Sequence, residues 1–443
     1  MRILIISFFV VTENLFVFAQ TAPLTLPEAI DLALKNNTSI RKEYNNMMSY
    51  KAYEEAALFG LGPSINASGN LGRRSGNSFN QQEGKVINGA IDFLSGSINA
   101  NVVLFGGFKN QNTLKSARQQ LAGQEQLVKF TRQEVISQVA QAYLQTILNQ
   151  ELLKIALENL TLQQTGLLQI KNEVELGSKA SVEEYNQVAL VKNAELEAFR
   201  AEVNLRNAKT SLALAMQSDP SIDYQLVAPQ LNNIVQDDFS LEELYITAES
   251  QRGDLQASML MENSQKFDMA ITRAGGLPSL SAFAAYGSQY NKVHGLDNRA
   301  FSQQFFTDNT YLYYGLAINI PIFNGLGNRA SYTQSKIAYQ NATLDREKNE
   351  LIVKSEVLNA YLNYNDALKV FELANAQMVA AEKSYSLNKE SYDLGLLNLI
   401  EFSQANRDYF MAKSDLAQAR FTLMFQGIMV HNATGTLAEE HVK

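Results

Sequence analysis

The side chains that most often carry catalysis or hold metals are sparse in this sequence and show no useful spacing. Cysteine is absent, which removes a thiolate nucleophile, a thiolate metal site, a disulfide frame and a lipid-bearing N-terminal cysteine. His294, His431 and His441 lie far apart in the chain, with no ligand spacing among them. Glycines at Gly60-Leu61-Gly62, Gly106-Gly107 and Gly325-Leu326-Gly327 could suggest phosphate cradles, but none continues into GxGxxG or a P-loop. Each sits where a helix is expected to meet a strand, so these read as turn glycines. No Ser/His/Asp set, carboxylate pair or metal cluster repeats across the chain. The expectation is therefore no enzyme, no cofactor and no metal. Two acidic residues stand out by position alone: Glu183 and Glu401 each fall six residues after a glycine, at the start of a helical stretch. There a carboxylate gains about 0.3–1 kcal/mol from the helix dipole, so the plain reading is a pair of helix starters.

The elements that carry these residues are long and duplicated. Leu24-Thr25-Leu26-Pro27-Glu28 returns as Phe239-Ser240-Leu241-Glu242-Glu243, and Gly62-Pro63-Ser64-Ile65 returns as Leu277-Pro278-Ser279-Leu280. Ala142-Tyr143-Leu144 matches Ala360-Tyr361-Leu362, and Leu176-Gly177 matches Leu394-Gly395, at offsets of about 215 residues early and about 218 later. Such a period indicates a duplicated helix-strand-strand-helix unit rather than a stacked solenoid. The first repeat spans 20–217, with strands about 64–74 and 95–105 and a hairpin about 109–217. A linker follows over 218–238. The second repeat spans 239–435, with strands about 279–290 and 311–321 and a hairpin about 328–432, before a tail over 436–443. Shorter helices about 38–59 and 254–273 precede the strand pairs.

Lys109–Glu175 and Asn328–Leu394 are free of proline and about 67 residues each, or roughly 100 Å as helix. In the second, Val353, Val357, Ala360, Tyr364, Ala367, Phe371, Ala374, Met378, Ala381 and Tyr385 alternate spacings of four and three. That is the seam of a left-handed coiled coil, and its aromatic residues read as core. The first helix lapses from the equivalent register at Thr146, Asn149 and Gln163.

The net charge of −8 argues against nucleic acid, which needs a basic face. Arg2, the apolar run Ile3 to Val11 and Val17-Phe18-Ala19 read as an export signal over 1–19, with a signal anchor as the alternative. No later stretch approaches about 18 uninterrupted apolar residues, so a membrane span would have to be built from strands. The strand segments do alternate. Ile98, Ala100, Val102 and Leu104 share one face and Ser97, Asn99 and Asn101 the other; Leu312, Tyr314, Leu316, Ile318 and Ile320 again share a face. About ten residues of alternation suits a tilted membrane strand, with a soluble sandwich edge as the alternative. The polar stretches Ser75 to Phe93 and Gln289 to Asn309 read as long surface loops. Four such strands leave two unpaired edges that hydrocarbon cannot hydrogen-bond, so other chains must complete them. Three chains would supply twelve strands.

These residues resemble the TolC family of outer-membrane channel proteins over nearly the whole mature chain. The marks are Leu24-Thr25-Leu26-Pro27-Glu28-Ala29-Ile30 with Ala33 and Asn36-Asn37, the Ala-Tyr-Leu of both long helices, and the paired Leu-Gly turns. The tip motif stands as Tyr392-Asp393-Leu394-Gly395 running to Leu399-Ile400-Glu401, and as Glu175-Leu176-Gly177 running to Ser181-Val182-Glu183. The resemblance implies a mainly α protein with membrane β: a homotrimer with a 12-stranded β-barrel in the lipid of the Gram-negative outer membrane. It also implies a long α-barrel across the periplasm and an equatorial belt that includes the linker. The implied function is a passive exit duct for a tripartite efflux pump or type I secretion system. The implied partners are a periplasmic adaptor (membrane fusion) protein and an inner-membrane pump of RND or ABC type.

The resemblance also implies a periplasmic gate at the hairpin tips. Glu401 keeps the acid six past the second tip glycine, whereas Gln404 stands where the family's best-known member has a second Asp. Three copies of Glu401 around a narrow axis would favour cations and repel one another. Tyr392 matches a gate tyrosine and Glu183 its acidic partner. Leu397 occupies the position of a gate arginine and Val182 that of its partner, which makes this second link an apolar contact. An adaptor is expected to touch Leu176, Gly177, Ser178, Lys179, Leu394, Gly395, Leu396 and Asn398. The competing reading is an exported coiled-coil structural or surface protein without a channel; the four alternating segments at matched positions argue against it.

Overall fold

The computed structural model describes residues 23–80, 84–228 and 239–438. The expected export signal, the second half of the linker and His441 lie outside the described residues. The first half runs β1 (Pro23–Leu24), α1 (Leu26–Asn36), α2 (Thr38–Phe59), β2 (Ser64–Asn80), β3 (Lys85–Phe105), α3 (Lys109–Glu175) and α4 (Ser181–Ala215). After β4 (Gln225–Leu226), the second half runs α5 (Leu241–Gln251), α6 (Gly253–Ala274), β5 (Ser279–Val293) and α7 (Phe301–Gln303). A π-helical turn over Gln304–Asp308 leads into β6 (Tyr311–Asn319), α8 (Gly327–Asp393) and α9 (Leu399–Thr434).

The long helices form because nothing interrupts them and one face is always covered. In α8 the heptad residues Val353, Val357, Ala360, Tyr364, Ala367 and Ala374 are buried, packing on α9 and α6. In α3 the polar Thr146 is fully buried, and its hydroxyl donates to Ala142 O at 2.7 Å. The helices stand side by side as a palisade. Near the sheet the order is α2-α3-α6-α8; away from it the order is α4-α3-α9-α8. The two inner helices have neighbours on both sides, and the outer ones have only one. Among the described residues no helix is long and apolar enough to cross a membrane.

The four long strands make one antiparallel sheet in the order β2-β3-β5-β6, so β2 and β6 are its edges. Its register places Ile65, Ala67 and Leu71 on the same face as Leu94, Ile98, Ala100 and Val102. Leu280, Ala282, Ala284, Tyr286 and Tyr290 of β5 and Leu312, Tyr314, Leu316 and Ile318 of β6 join them. Ser64, Asn66, Ser68, Asn70, Ser97, Asn99 and Asn101 take the opposite face, where Ser68 and Ser97 hydroxyls meet at 3.0 Å. From Leu280 to Tyr290 the apolar rows climb about ten residues, which at about 3.3 Å each and a tilt of about 40° makes a band about 25 Å tall. The next row is charged: Arg73, Asp92 and Lys292.

Two loop expectations are corrected here. Ser75 to Phe93 is almost entirely strand, because β2 and β3 stay paired as far as Asn80 and Lys85. Phe79, Val86 and Ile91 are scattered among polar residues there, so the regular alternation is lost from the sequence while the ladder continues. Gln289 to Asn309 begins as strand to Val293 and ends in a helical turn.

A belt surrounds the middle of the helices. β1 pairs with β4 in parallel, and Tyr143 of α3 is fully buried beneath them, its hydroxyl shared between Leu24 O at 2.8 Å and Val227 O at 2.6 Å. Burial pushes the Tyr143 phenol up to about 12. On the other side Arg252 is buried at the junction of α5 and α6. It forks onto Asp254 at 2.7 and 2.9 Å, reaches Glu356 of α8 at 2.5 Å, and donates to Ala433 O at 3.3 Å. Burial opposes that charge, yet the two carboxylates hold the guanidinium firmly protonated. α1 and α5 went unread in the sequence, although Thr25-x-x-Glu28 is a capping box and closes as one, with Glu28 2.8 Å from the Thr25 N–H.

Candidate functional site

Each long hairpin turns on a glycine. The N–H of Gly177 donates to Val174 O at 2.9 Å and that of Ser178 to Glu173 O at 2.8 Å; Gly395 and Leu396 repeat the pair onto Tyr392 O and Ser391 O, both at 2.9 Å. These are Schellman closures, and they need the left-handed backbone found at Gly177 (φ 76) and Gly395 (φ 73). The two tips therefore have the same shape, and they come together through one side chain. Lys179, on the first tip, donates to the Tyr392 hydroxyl at 2.9 Å and pairs with Glu173 at 3.0 Å and Glu183 at 3.7 Å. The expected direct pair of Tyr392 with Glu183 is thus a relay with Lys179 in the middle. Burial works against the ammonium, but its hydrogen bonds to Tyr392 and Glu173 outweigh that and raise its pKa. The same lysine bond holds the Glu173 carboxyl below its ordinary value.

The remaining expected residues scatter. Asn398 caps α9, its side chain accepting from the Glu401 N–H at 2.9 Å, and Glu401 closes the capping box while staying exposed. Gln404 donates to Asp408 at 2.8 Å and accepts from Arg407. The nearest second carboxylate is thus Asp408, one turn further along. Leu397 is half-buried while Val182 is exposed. Leu176 and Leu396 point outward at 83% and 77% exposure, with Leu394 beside them also exposed.

A stack of rings at the tip was not anticipated. Tyr392 lies on Phe402 at 4.8 Å, Phe402 reaches Tyr385 at 6.1 Å, and Tyr385 lies on Tyr409 at 4.8 Å, zipping α8 to α9. The signal was available: 385 and 392, like 402 and 409, are seven apart on facing helices. Within the first hairpin, Gln187 of α4 donates to Gln163 O and Oε1 of α3 at 2.9 Å, beside a cavity of about 220 Å³. Between the hairpins, Asn406 of α9 donates to Asn159 of α3 at 3.2 Å, and farther from the tips Ala417, Phe421 and Ile428 of α9 share an apolar core with α3.

The outer membrane efflux protein family matches residues 29–217 and 244–435, one segment in each half. The chain belongs to that family. It is 23% identical to the outer membrane protein TolC of Vibrio cholerae, over 79% of this chain and 78% of that protein. To the outer membrane efflux protein BepC of Brucella suis it is 21% identical, over 94% and 87%. The crystal structure of the Campylobacter jejuni CmeC outer membrane channel shares the fold at a TM-score of 0.79 and 18% identity, covering 94% of this chain and 89% of that one. This TolC-family protein is an efflux channel of the outer membrane with a periplasmic helical extension, and it is not an enzyme. The reading as a coiled-coil surface protein without a channel is set aside by that membership. With an outer membrane given, the apolar face of the sheet is the one suited to lipid and the polar face the one suited to water.

Proposed function

We propose that three copies of this chain close into one conduit, gated at the hairpin tips and docked through an adaptor onto an inner-membrane pump. The observation that carries the reading is that both layers of the protomer end in open edges on the same two sides. In the sheet these are β2 and β6. In the palisade they are α8 on one side, with α2 and α4 on the other. The α8 edge carries a second heptad, Ile337, Leu344, Leu351 and Leu358, all exposed, and α2 presents exposed Tyr44 and Met48. A head-to-tail contact of unlike edges generates a ring when the rotation closes. Three four-stranded sheets make a barrel of twelve strands, within the even-numbered range of bacterial outer-membrane barrels.

The height of the helices fixes a test. Asn110 donates to Gly60 O at 3.0 Å, Asn328 to Gly275 O at 2.7 Å, and Gly107 packs against Ala274 at the end of α6, which together set the tops of α2, α3, α6 and α8 level. Met48 of α2 and Ile337 of α8 then lie within about one turn of the same height. The chain has no cysteine, so Met48→Cys with Ile337→Cys gives a clean background. Oxidation should yield a ladder of dimer and trimer that stops at trimer. Monomer alone, or a ladder that continues, contradicts the ring.

The Lys179 relay supports a gate, since it ties the tip of the first hairpin to the tip of α8. Glu401, and Asp408 two turns on, are the carboxylates offered to a narrowed axis. The exposed Leu176, Leu394 and Leu396 form an apolar end suited to an adaptor, and the polar lumen face suits a passive conduit for an efflux pump or a type I secretion system.

A further inference from the structure

β6 begins opposite Gly287, so the last residues of β5 would present a bare edge. Side chains of the returning segment fill it. Asn298 Oδ1 accepts from the Val293 N–H and Asn298 Nδ2 donates to Val293 O, both at 2.8 Å. Gln304 Oε1 accepts from the Asn291 N–H at 3.2 Å, and Asn309 Nδ2 donates to Gln289 O at 2.8 Å. Three amides thus stand in for a missing strand, and they fix where the intervening rings lie. The lipid-side row Gly69–Gly96–Ser288 carries no apolar side chain of its own. Phe305 covers it: its ring is 3.4 Å from the place a Cβ on Gly96 would occupy, and its carbonyl accepts from the Ser288 hydroxyl. Phe301 stacks on Phe305 at 5.3 Å and meets Tyr290 edge-on at 5.2 Å; Phe306 stands edge-on to Phe305 at 5.3 Å and is 68% exposed. Directly beyond lies the charged row, where Asp92 pairs with Arg73 at 2.6 Å and with His294 at 2.7 Å.

We propose that Phe301, Phe305 and Phe306 form an anchor in the outer leaflet, seated where the acyl chains meet the lipid headgroups. The cluster continues the lipid-facing band without a break and stops where charge begins, which is the depth at which aromatic rings gather in membrane proteins. It stands on the outward face, while the amides occupy the strand edge, so its open side looks toward lipid rather than along the sheet. The proposal rests on the barrel reading, and the experiment separates the two.

The chain has no tryptophan, so Phe306→Trp places a single reporter in the full-length protein. It would be reconstituted into phosphatidylcholine vesicles containing lipids brominated either just below the carbonyls or near the chain ends. The anchor predicts blue-shifted emission, lost mainly to the shallow bromines. Tyr314→Trp, from the middle of the apolar band, should lose emission mainly to the deep ones. Tyr314→Trp quenched by lipid while Phe306→Trp yields only to iodide in the water overturns the anchor and leaves the barrel standing. Phe306→Trp insensitive to lipid and iodide alike also overturns it, by assigning the cluster to a neighbouring subunit. Both reporters blind to lipid overturn the barrel and the anchor with it. Phe301→Trp, read the same way, covers a failure of Phe306→Trp to fold.

Discussion

Removing the charge of Lys179 should loosen the periplasmic tips. Lys179→Met keeps the length and the apolar stem while deleting the ammonium that binds Tyr392, Glu173 and Glu183. The side chain is 24% exposed, so its ion pairs are partly screened and together contribute about 0.5–1 kcal/mol. The hydrogen bond to Tyr392 joins a charged donor to a neutral acceptor and adds about 1–1.5 kcal/mol. The sum is about 2 kcal/mol per protomer, which is roughly 30-fold in the closed-to-open equilibrium of one tip. Three tips that open together would multiply this to about 6 kcal/mol. The assay is single-channel recording in planar bilayers, with uptake of a large antibiotic by cells carrying the variant as the second readout. Higher resting conductance and greater uptake are expected, and Lys179→Arg should restore most of the wild-type behaviour. A Lys179→Met channel with resting conductance and uptake unchanged would refute the relay as a latch. The pH dependence has a definite sign. The depressed Glu173 carboxyl contributes above its ordinary value of 4.5 and stops contributing as pH falls through its lower folded value, so the wild-type tips should loosen only in acid below that point. The raised Lys179 contributes fully below its ordinary 10.5 and is lost only as pH rises through its higher folded value.

Three other substitutions test separate parts of the account. Glu401→Gln keeps a capping side chain but removes the charge, so cation preference in single-channel recordings should fall while the melting temperature stays put; unchanged preference would leave Glu401 as a helix starter only. Arg252→Ala strips the partner from Asp254 and from the half-exposed Glu356 and should destabilise the belt by about 1–3 kcal/mol in thermal unfolding. Tyr143→Phe removes the hydroxyl shared by Leu24 O and Val227 O; Leu24 O keeps the Val227 N–H at 3.1 Å, so the cost should be about 0.5–1.5 kcal/mol. Wild type should also lose the Tyr143 contribution as pH rises from the ordinary 10 through about 12, a loss absent from Tyr143→Phe.

What the sequence revealed and what it hid follow from the range of the interactions. The seam of α8 was legible because each large residue meets α9 at a seven-residue repeat, and burial of Val357 and Tyr364 agrees with it. The alternating strands were legible inside the apolar band and blurred beyond Arg73, where Phe79, Val86 and Ile91 are scattered among polar residues and no face is uniformly apolar while the backbone ladder continues. Glu401 and Asn398 could be read as a helix start because a capping box is local. Lys179 could be placed at the tip but not given its role, since its partner Tyr392 is 213 residues away and only the packing of two hairpins brings them together. The amide plug of Asn298, Gln304 and Asn309 was invisible for a related reason. Polar side chains in a polar stretch carry no periodicity, and their purpose appears only when a strand edge lies beside them.

The central claim is that one protomer is unfinished and that two sister copies finish it. Native mass spectrometry of the detergent-solubilised full protein, released gently from its micelle, measures this most directly. The account predicts a single assembly at three times the mass of the mature chain. A stable species at the mass of one chain, still holding its sheet, would contradict it.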